Sequence, residues 1–259
     1  MKAFRGYDIV GNIAIIKFKR GIGLLEKKKI AKKLLKEHKN VKTILEKTGK
    51  FSGRLRTLKT KWILGEKTKE ALYKENNCVF RFNVDKCYFS PRLASERLEI
   101  AKMIKKGENV LVMFSGVGSY AIVIAKLSKA KKVVGVELSR KCNKYAAANV
   151  KRNNLNNVEI IQGDVRKALP KIKEKFSRIV MPRPNLKDSF LDAAFPRIKN
   201  SGIVHYYGFY NENEVEKLKE LIMAEARKAS KKVKILKIKE AGDIGVRKFR
   251  YRADLKLVN

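Results

Sequence analysis

Residues 109–127, NVLVMFSGVGSYAIVIAKL, decide the fold of the larger part of the chain. The first six residues form an apolar run rich in valine, which predicts a buried strand, and the residues from Ser119 onward favour a helix. Gly116 and Gly118 lie between the two. Glycines at such a turn allow a ligand to approach the backbone beside a helix N-terminus, although close packing of strand and helix also explains them. The segment therefore predicts a strand, a glycine turn and a helix.

The same alternation of helices and strands continues on both sides of this segment, from about Ser90 onward. The strands are apolar throughout, as in sheets covered on both faces, so they predict a doubly wound, mostly parallel α/β sheet. The predicted helices lie near 91–105, 141–154 and 212–230, and the predicted strands lie at 109–114, 131–138, 157–164, 177–181 and 201–209. Two final strands, 232–241 and 246–258, are close enough in sequence to pair in antiparallel fashion. We assign residues 89–259 to this domain.

Residues 1–88 have a different pattern, which predicts a small α+β domain. A hairpin is expected at 7–18 around a Gly-Asn turn, followed by an amphipathic helix at 24–38 with a basic outer face. Further strands are expected near 41–45, 55–59, 78–84 and 86–89.

The charge of the chain indicates the class of its partner. Its 259 residues include 62 Lys and Arg against 25 Asp and Glu, a formal net charge of +37. Such an excess favours a polyanion, with nucleic acid first and an acidic membrane second, although a lysine-rich proteome gives the same excess on solvated helix faces. The 44% hydrophobic content fits a folded protein rather than a disordered one.

Metal sites, export and membrane insertion are not expected. The three cysteines (Cys78, Cys87, Cys142) and two histidines (His38, His205) have no metal-ligand spacing. The N-terminus lacks the apolar core of a signal peptide, and no apolar stretch reaches transmembrane length. We therefore predict a cytoplasmic protein without a metal ion.

Acidic residues follow the next two predicted strands. Glu137 ends one of them, where a carboxylate can accept hydrogen bonds from both hydroxyls of a ribose, and Asp164 follows the other, where it can accept from an adenine amino group. With the glycine turn, this layout resembles the class I methyltransferase fold, which binds S-adenosylmethionine (SAM), more than an NAD-binding fold. The predicted SAM-binding residues are Phe114, Gly116, Gly118, Glu137, Leu138, Asp164, Val165 and Pro184. Val112 is a departure, because such enzymes often have an acidic residue at this position.

The segment CYFSPRLASERLEI (87–100) joins the two domains. Ser90 and Pro91 suit the start of a helix, which would place Arg92 and Glu96 on one face. Spacing alone is explained by an ordinary surface ion pair between residues four apart.

Five segments, taken in order, resemble one family. They are SGRLRTLKTKWILGE (52–66), KENNCVFRFNVDKCYFSPRLASER (74–97), MFSGVGSYAI (113–122), NNVEIIQGDVR (156–166) and SGIVHYYGF (201–209). Together they resemble the archaeal and eukaryotic tRNA (guanine37-N1)-methyltransferases over nearly the whole chain, and YFSPRLxxER is a specific signature. The chain looks like a short form that lacks the family's N-terminal domain for the outer corner of tRNA.

This resemblance implies a substrate and a set of residue roles. The substrate would be guanosine 37 in the anticodon stem-loop of tRNA, bound by a monomer. Glu96 would be the general base, Arg56 would contact the guanine, and Tyr88 and Arg92 would line the site. The chemistry is consistent: N1 of neutral guanine carries a proton, which a partly desolvated carboxylate can remove. Negative charge then builds on O6, where a guanidinium such as that of Arg56 stabilises it.

The corner IVMPRPNLK (179–187) leaves the substrate open. Relatives place Asn-Leu-Pro where this chain has Pro182-Arg183-Pro184, and Pro182 cannot supply the asparagine's hydrogen bonds to the target base. A proline could instead make room for a bulkier base, so a dual-specificity enzyme of wyosine biosynthesis is an alternative, acting by methyl or aminocarboxypropyl transfer to a tricyclic base. A non-catalytic RNA-binding protein with a degenerate SAM fold is the other alternative, favoured by Val112 and Pro182.

Overall fold

Two compact units make up the chain, and they divide between Pro91 and Arg92. The structure, a computed structural model, describes residues 4–182 and 188–258. Among those residues, no helix combines the length and the apolar character needed to cross a bilayer.

The first unit is a mixed α+β fold. Its elements are β1 (Phe4–Val10), β2 (Ile13–Phe18), α1 (Leu24–Glu37), β3 (Thr43–Lys47), β4 (Thr60–Gly65), β5 (Glu70–Glu75) and β6 (Cys78–Asn83). Strands β1 to β4 form a sheet in sequence order, in which β2 and β3 are parallel and α1 connects them. Strands β5 and β6 form a separate hairpin. Helix α1 buries Ala31 and Leu34 in an aliphatic core with β2 and β3, and leaves its lysines outward.

The expected hairpin around Gly11 is confirmed, and Gly11 has a specific reason to be glycine. Its φ is +60°, and an added Cβ would lie 1.9 Å from the carbonyl oxygen of Leu72 in β5. Two strand predictions are wrong: 55–59 lies largely in a turn closed by a bridge between Ser52 and Thr57, and 86–89 is irregular. Strands β4 and β5 were not predicted.

The second unit contains the larger sheet. Its elements are α2 (Ala94–Met103), β7 (Asn109–Met113), α3 (Ser119–Leu127), β8 (Lys132–Glu137), α4 (Arg140–Arg152), β9 (Val158–Gln162), α5 (Val165–Ala168), β10 (Phe176–Met181), α6 (Leu191–Ala194), β11 (Ile198–Asn211), α7 (Val215–Lys228), β12 (Lys232–Gly245) and β13 (Lys248–Val258).

The strand order of this sheet is β12-β13-β11-β10-β7-β8-β9. The five strands from β11 to β9 are parallel, and β13 pairs antiparallel with both β11 and β12. This is the predicted doubly wound class I methyltransferase sheet with an antiparallel last strand. The chain moves outward from β7 to β8 and β9, then returns to β10 on the other side of β7. Open α/β sheets bind ligands at such a reversal, at the carboxyl ends of the strands.

The two faces of the sheet differ in character. One face packs an apolar core, in which Leu111, Ile179 and Tyr206 meet Leu218 and Ile222 of α7. Because side chains alternate along a strand, the neighbours of these residues point to the opposite face, where α2 and α3 pack together.

That opposite face carries a buried polar row. Arg178 of β10 donates from Nε to Glu108 (2.7 Å), and its Nη1 lies 2.8 Å from Nε2 of His205. Nδ1 of His205 lies 2.6 Å from Oδ1 of Asp254. Since a guanidinium only donates, Nε2 accepts and Nδ1 carries the proton that is donated to Asp254. His205 belongs to the predicted strand 201–209, which forms as β11; this strand lies between β13 and β10, in the interior of the sheet.

The buried row predicts a dependence of stability on pH. Burial, the largest cause, lowers the pKa of His205 from its ordinary value of 6.5. Below about pH 6.5 the unfolded chain therefore takes up a proton that the folded chain does not, and stability falls as the pH falls. Asp254, whose pKa is lowered from 3.8 although burial opposes the lowering, contributes only at more acidic pH. One proton limits the loss between pH 7 and 5 to about 2 kcal/mol.

We expect His205→Gln to reduce this loss, measured as the shift in urea midpoint between pH 7 and 5. His38→Gln is the matched control, because the chain has two histidines and His38 lies in the first unit. An equal shift in wild type and His205→Gln would contradict the assignment of a neutral buried imidazole.

Candidate active site

The glycine turn forms as predicted at the carboxyl end of β7. Gly116 and Gly118 have φ values of +58° and +86°, a region that glycine enters without strain, and α3 begins directly after Gly118. Phe114 also has a positive φ, +60°, and its ring packs against Phe190 with centroids 5.0 Å apart. Val112 lies two residues before Phe114, within β7, and is fully buried.

Glu137 is joined directly to this turn. Its Oε2 accepts a hydrogen bond from the backbone N–H of Gly116 (2.8 Å), and its Oε1 accepts one from the N–H of Ser139 (2.7 Å). Burial raises the pKa of Glu137 above its ordinary value of 4.5, against the lowering effect of these backbone donors. As expected from the sequence, the glycine turn and the Glu137 carboxylate lie at the same edge of the sheet.

Asp164 follows β9 and caps α5 by accepting from the N–H of Arg166 (2.9 Å). Leu138 lies at the adjacent strand end, where its carbonyl accepts from Gln162. Val165 has its side chain in the apolar core, so only its main chain remains for a ligand. The donors and acceptors therefore fit SAM: backbone N–H groups and flexible glycines for close approach, and two carboxylates beside them.

Pro182 directly follows β10 and is half-buried. Pro184 and Arg183, also expected at this corner, lie outside the described residues. Beyond the corner, Arg166 binds both Asp188 (Nη2 to Oδ1, 2.9 Å) and Asp192 (Nε to Oδ2, 2.9 Å), and its guanidinium stacks on Phe190. This link was not predicted; it fastens the chain after the corner to the start of α5.

Glu96 is buried in α2, and two donors hold one of its oxygens. Oε1 accepts from the hydroxyl of Tyr207 (2.7 Å) and from Nη1 of Arg252 (2.6 Å). Oε2 lies 3.8 Å from Nζ of Lys239. These three partners were not predicted from the sequence. Fixed in this way, the carboxylate can accept a proton on Oε2.

The start of α2 differs from the prediction. A short 3-10 turn, Pro91–Leu93, precedes the α-helix, which begins at Ala94. Arg92 thus lies in the turn and is exposed.

Arg56 and Tyr88 contact each other within the first unit. The Arg56 guanidinium lies 4.2 Å from the centroid of the Tyr88 ring, which in turn meets Phe51 edge-on at 5.0 Å. The backbone of Arg56 has a φ of +50°, and its Nε is buried without a hydrogen-bond partner among the described residues. In 4–182 and 188–258, no three potential metal-ligating side chains cluster.

Two family models match the chain: the TRM5/TYW2 methyltransferase domain at residues 71–236 and the TYW2 N-terminal domain at residues 2–68. The tRNA (guanine(37)-N(1))-methyltransferase Trm5b of Pyrococcus abyssi is 38% identical, over 89% of this chain and 68% of the relative. The tRNA (guanine(37)-N(1))/4-demethylwyosine(37)-methyltransferase Taw22 of Nanoarchaeum equitans is 36% identical, over 97% and 99%.

Solved structures agree in fold. The crystal structure of Trm5b from Pyrococcus abyssi superposes with a TM-score of 0.86 at 36% identity, covering 98% of this chain and 76% of that one. The structure of M. jannaschii TYW2 in complex with AdoMet gives 0.75 at 25% identity, covering 98% and 99%.

Proposed function

Because the chain belongs to the TRM5/TYW2 methyltransferase family, we propose that it transfers a methyl group from SAM to N1 of guanosine 37 in tRNA. The observation that carries the proposal is the pairing of a glycine turn bound to Glu137 with a buried, firmly held carboxylate, Glu96, in the same unit. A cofactor cradle without such a base would support SAM binding alone.

SAM, when bound, supplies an activated methyl group on sulfonium. The chain's own residues hold and orient it: the N–H groups of the glycine turn approach it closely, Glu137 accepts from the ribose hydroxyls, and Asp164 accepts from the adenine amino group. No further activation of the methyl is needed, so positioning supplies much of the remaining catalysis.

Glu96 acts on the other reactant. The lone pair of guanine N1 becomes available when its proton leaves, and we assign that proton to Oε2 of Glu96, since Oε1 already accepts two hydrogen bonds. The N1–methyl bond then forms as the sulfur–methyl bond breaks. Arg56 stabilises the negative charge on O6, Tyr88 orients Arg56 through their ring contact, and Arg92 and Pro182 line the target base.

Partners and organisation follow from charge and from the family. The excess of lysine and arginine favours contacts with tRNA phosphates and a steep dependence of binding on salt. We propose that residues 1–88 recognise the target and residues 89–259 bind SAM, in a monomer that acts on the anticodon arm in the cytoplasm without a metal ion.

Reverse transcription across the anticodon loop tests the proposal. After incubation with labelled SAM and a tRNA bearing guanosine 37, a SAM-dependent stop at position 37 is expected, because N1-methylguanine cannot form its normal base pair. A tRNA with adenosine 37 is the matched control. Absence of both the stop and transferred label would contradict the proposal and leave the non-catalytic RNA-binding alternative.

A second candidate substrate is a tricyclic wyosine intermediate at the same position. Pro182 favours it, because a proline ring offers no amide to a guanine edge, and the similar Taw22 is named for both bases. We expect Pro182→Asn to raise the ratio of guanosine to 4-demethylwyosine methylation by about 10-fold, the value of one hydrogen bond. Competition between the two tRNAs in one reaction measures it. An unchanged ratio would show that this corner does not select the base.

A further inference from the structure

Behind Glu96, the buried polar row continues without a break. Arg252 of β13 is fully buried, and its guanidinium contacts three carboxylates. Its Nη1 binds Glu96 (2.6 Å), its Nη2 binds Glu99 (2.8 Å), and its Nε lies 2.9 Å from Oδ1 of Asp254. Asp254 is itself held by His205, so a chain of buried contacts runs from Glu108 through the sheet to the candidate base.

Two phenols complete this arrangement. Tyr207 and Tyr120 are buried with their hydroxyl oxygens 3.5 Å apart, and Tyr207 donates onward to Glu96. Burial raises the pKa of both, that of Tyr207 well above 10.0. Both phenols therefore keep their protons at neutral pH and act as donors toward the carboxylate.

We propose that Arg252 and Tyr207 are positioning residues of the methyl-transfer reaction, which fix Oε1 of Glu96 so that Oε2 alone takes the guanine proton. The inference rests on the proposed function. It also accounts for the polar groups on the buried face of β11 and β13. Burying an Arg among three carboxylates costs desolvation free energy, and replacing such a cluster by apolar residues is often neutral for stability. The cluster is therefore explained by its role in orienting Glu96.

The groups around Glu96 determine what the test should show. In the second unit they are Glu99 on α2, Tyr120 on α3, Tyr207 on β11, Lys239 on β12 and Arg252 on β13. Tyr207 and Arg252 both donate to Oε1 and so hold the carboxylate in one orientation. Removing the Tyr207 hydroxyl should therefore leave Oε1 with one donor and the carboxylate less well oriented for proton transfer.

The experiment compares single-turnover methyl transfer at saturating SAM and tRNA with the dissociation constant of SAM. We expect Tyr207→Phe to lower the rate about 10-fold, since a hydrogen bond to a charged group is worth at least that much. The dissociation constant of SAM should change by less than about 3-fold. Tyr206→Phe is the matched control, because Tyr206 is the neighbouring buried tyrosine on the opposite face of β11.

Arg252→Lys is the second variant; it keeps the positive charge but loses the two guanidinium nitrogens that bind Glu96 and Glu99 at the same time. We expect a loss of about 30-fold or more in the single-turnover rate, with the dissociation constant of SAM changed by less than about 3-fold. A rate of Tyr207→Phe within about 3-fold of that of Tyr206→Phe, or an equal loss of SAM affinity and rate in Tyr207→Phe or Arg252→Lys, would overturn the inference while leaving the proposed function intact. A wild-type protein that transfers no methyl group would overturn both.

Discussion

Glu96→Gln should lower the rate of methyl transfer to guanosine 37 by about 10³-fold, within the range that a general base contributes. The change is isosteric: the glutamine oxygen can still accept from Tyr207 and Arg252, while the amide nitrogen replaces Oε2 and cannot take a proton. Arg252 keeps two carboxylate partners, Glu99 and Asp254, so the buried row remains compensated and the fold should persist. Single-turnover kinetics at saturating SAM measures the effect.

Glu216→Gln is the control for this experiment. Glu216 lies exposed on α7, where it pairs only with Lys219 among its described ion pairs. The control should retain the wild-type rate, and Glu96→Gln should retain the wild-type affinity for SAM. A rate within about 10-fold of wild type in Glu96→Gln would show that another group removes the proton from N1.

Local sequence patterns were sufficient to predict which residues lie together at the carboxyl ends of the parallel strands. A parallel sheet aligns the carboxyl ends of its strands, so residues that follow successive strands are neighbours even when they are far apart in the chain. Gly116 and Glu137 are 21 residues apart and hydrogen-bonded, as this reasoning requires. No further information is needed to align these strand ends, because each strand ends where its run of apolar residues stops.

The environment of Glu96 could not be inferred in the same way. Its partners Tyr207 and Arg252 lie 111 and 156 residues further along the chain. They meet because Tyr207 and Arg252 are paired in the antiparallel register of β11 and β13, and because α2 packs on that face. Neither the register nor the choice of face follows from composition, since a shift of one residue would turn Arg252 into the apolar core.

Local patterns also failed for one strand and for the start of one helix. β4 (Thr60–Gly65) was not predicted, and the first turn of the Pro91 segment is 3-10 rather than α. The late start of the helix changes the geometry of Arg92 but leaves Glu96 within the helix. The prediction of a base at this position therefore depended on the family signature, whereas its held orientation is seen only in the structure.

Glu137→Gln should weaken SAM binding by about 100-fold with little change in the rate at saturating SAM. In the proposed function the carboxylate has two tasks: it holds the N–H groups of Gly116 and Ser139, and it would offer acceptors to the ribose hydroxyls. Glutamine has one acceptor oxygen, and its amide would face one of these N–H donors, so the turn loosens and an acceptor is lost. Hydrogen bonds to a charged group are worth about 1.5–3 kcal/mol each, which gives the expected size.

The pH dependence of SAM binding separates this role from a merely structural one. Because burial raises the pKa of Glu137, protonation begins above the range usual for a carboxyl group and removes an acceptor. The affinity of the wild type should therefore begin to fall, as the pH is lowered from neutral, before ordinary carboxyl groups are protonated, whereas that of Glu137→Gln should stay nearly constant, as measured by isothermal titration calorimetry. Glu159→Gln, on the adjacent strand β9 and paired with Lys132, should follow the wild type. Parallel curves for wild type and Glu137→Gln would mean that the carboxylate only holds the turn and leaves the ribose to other groups.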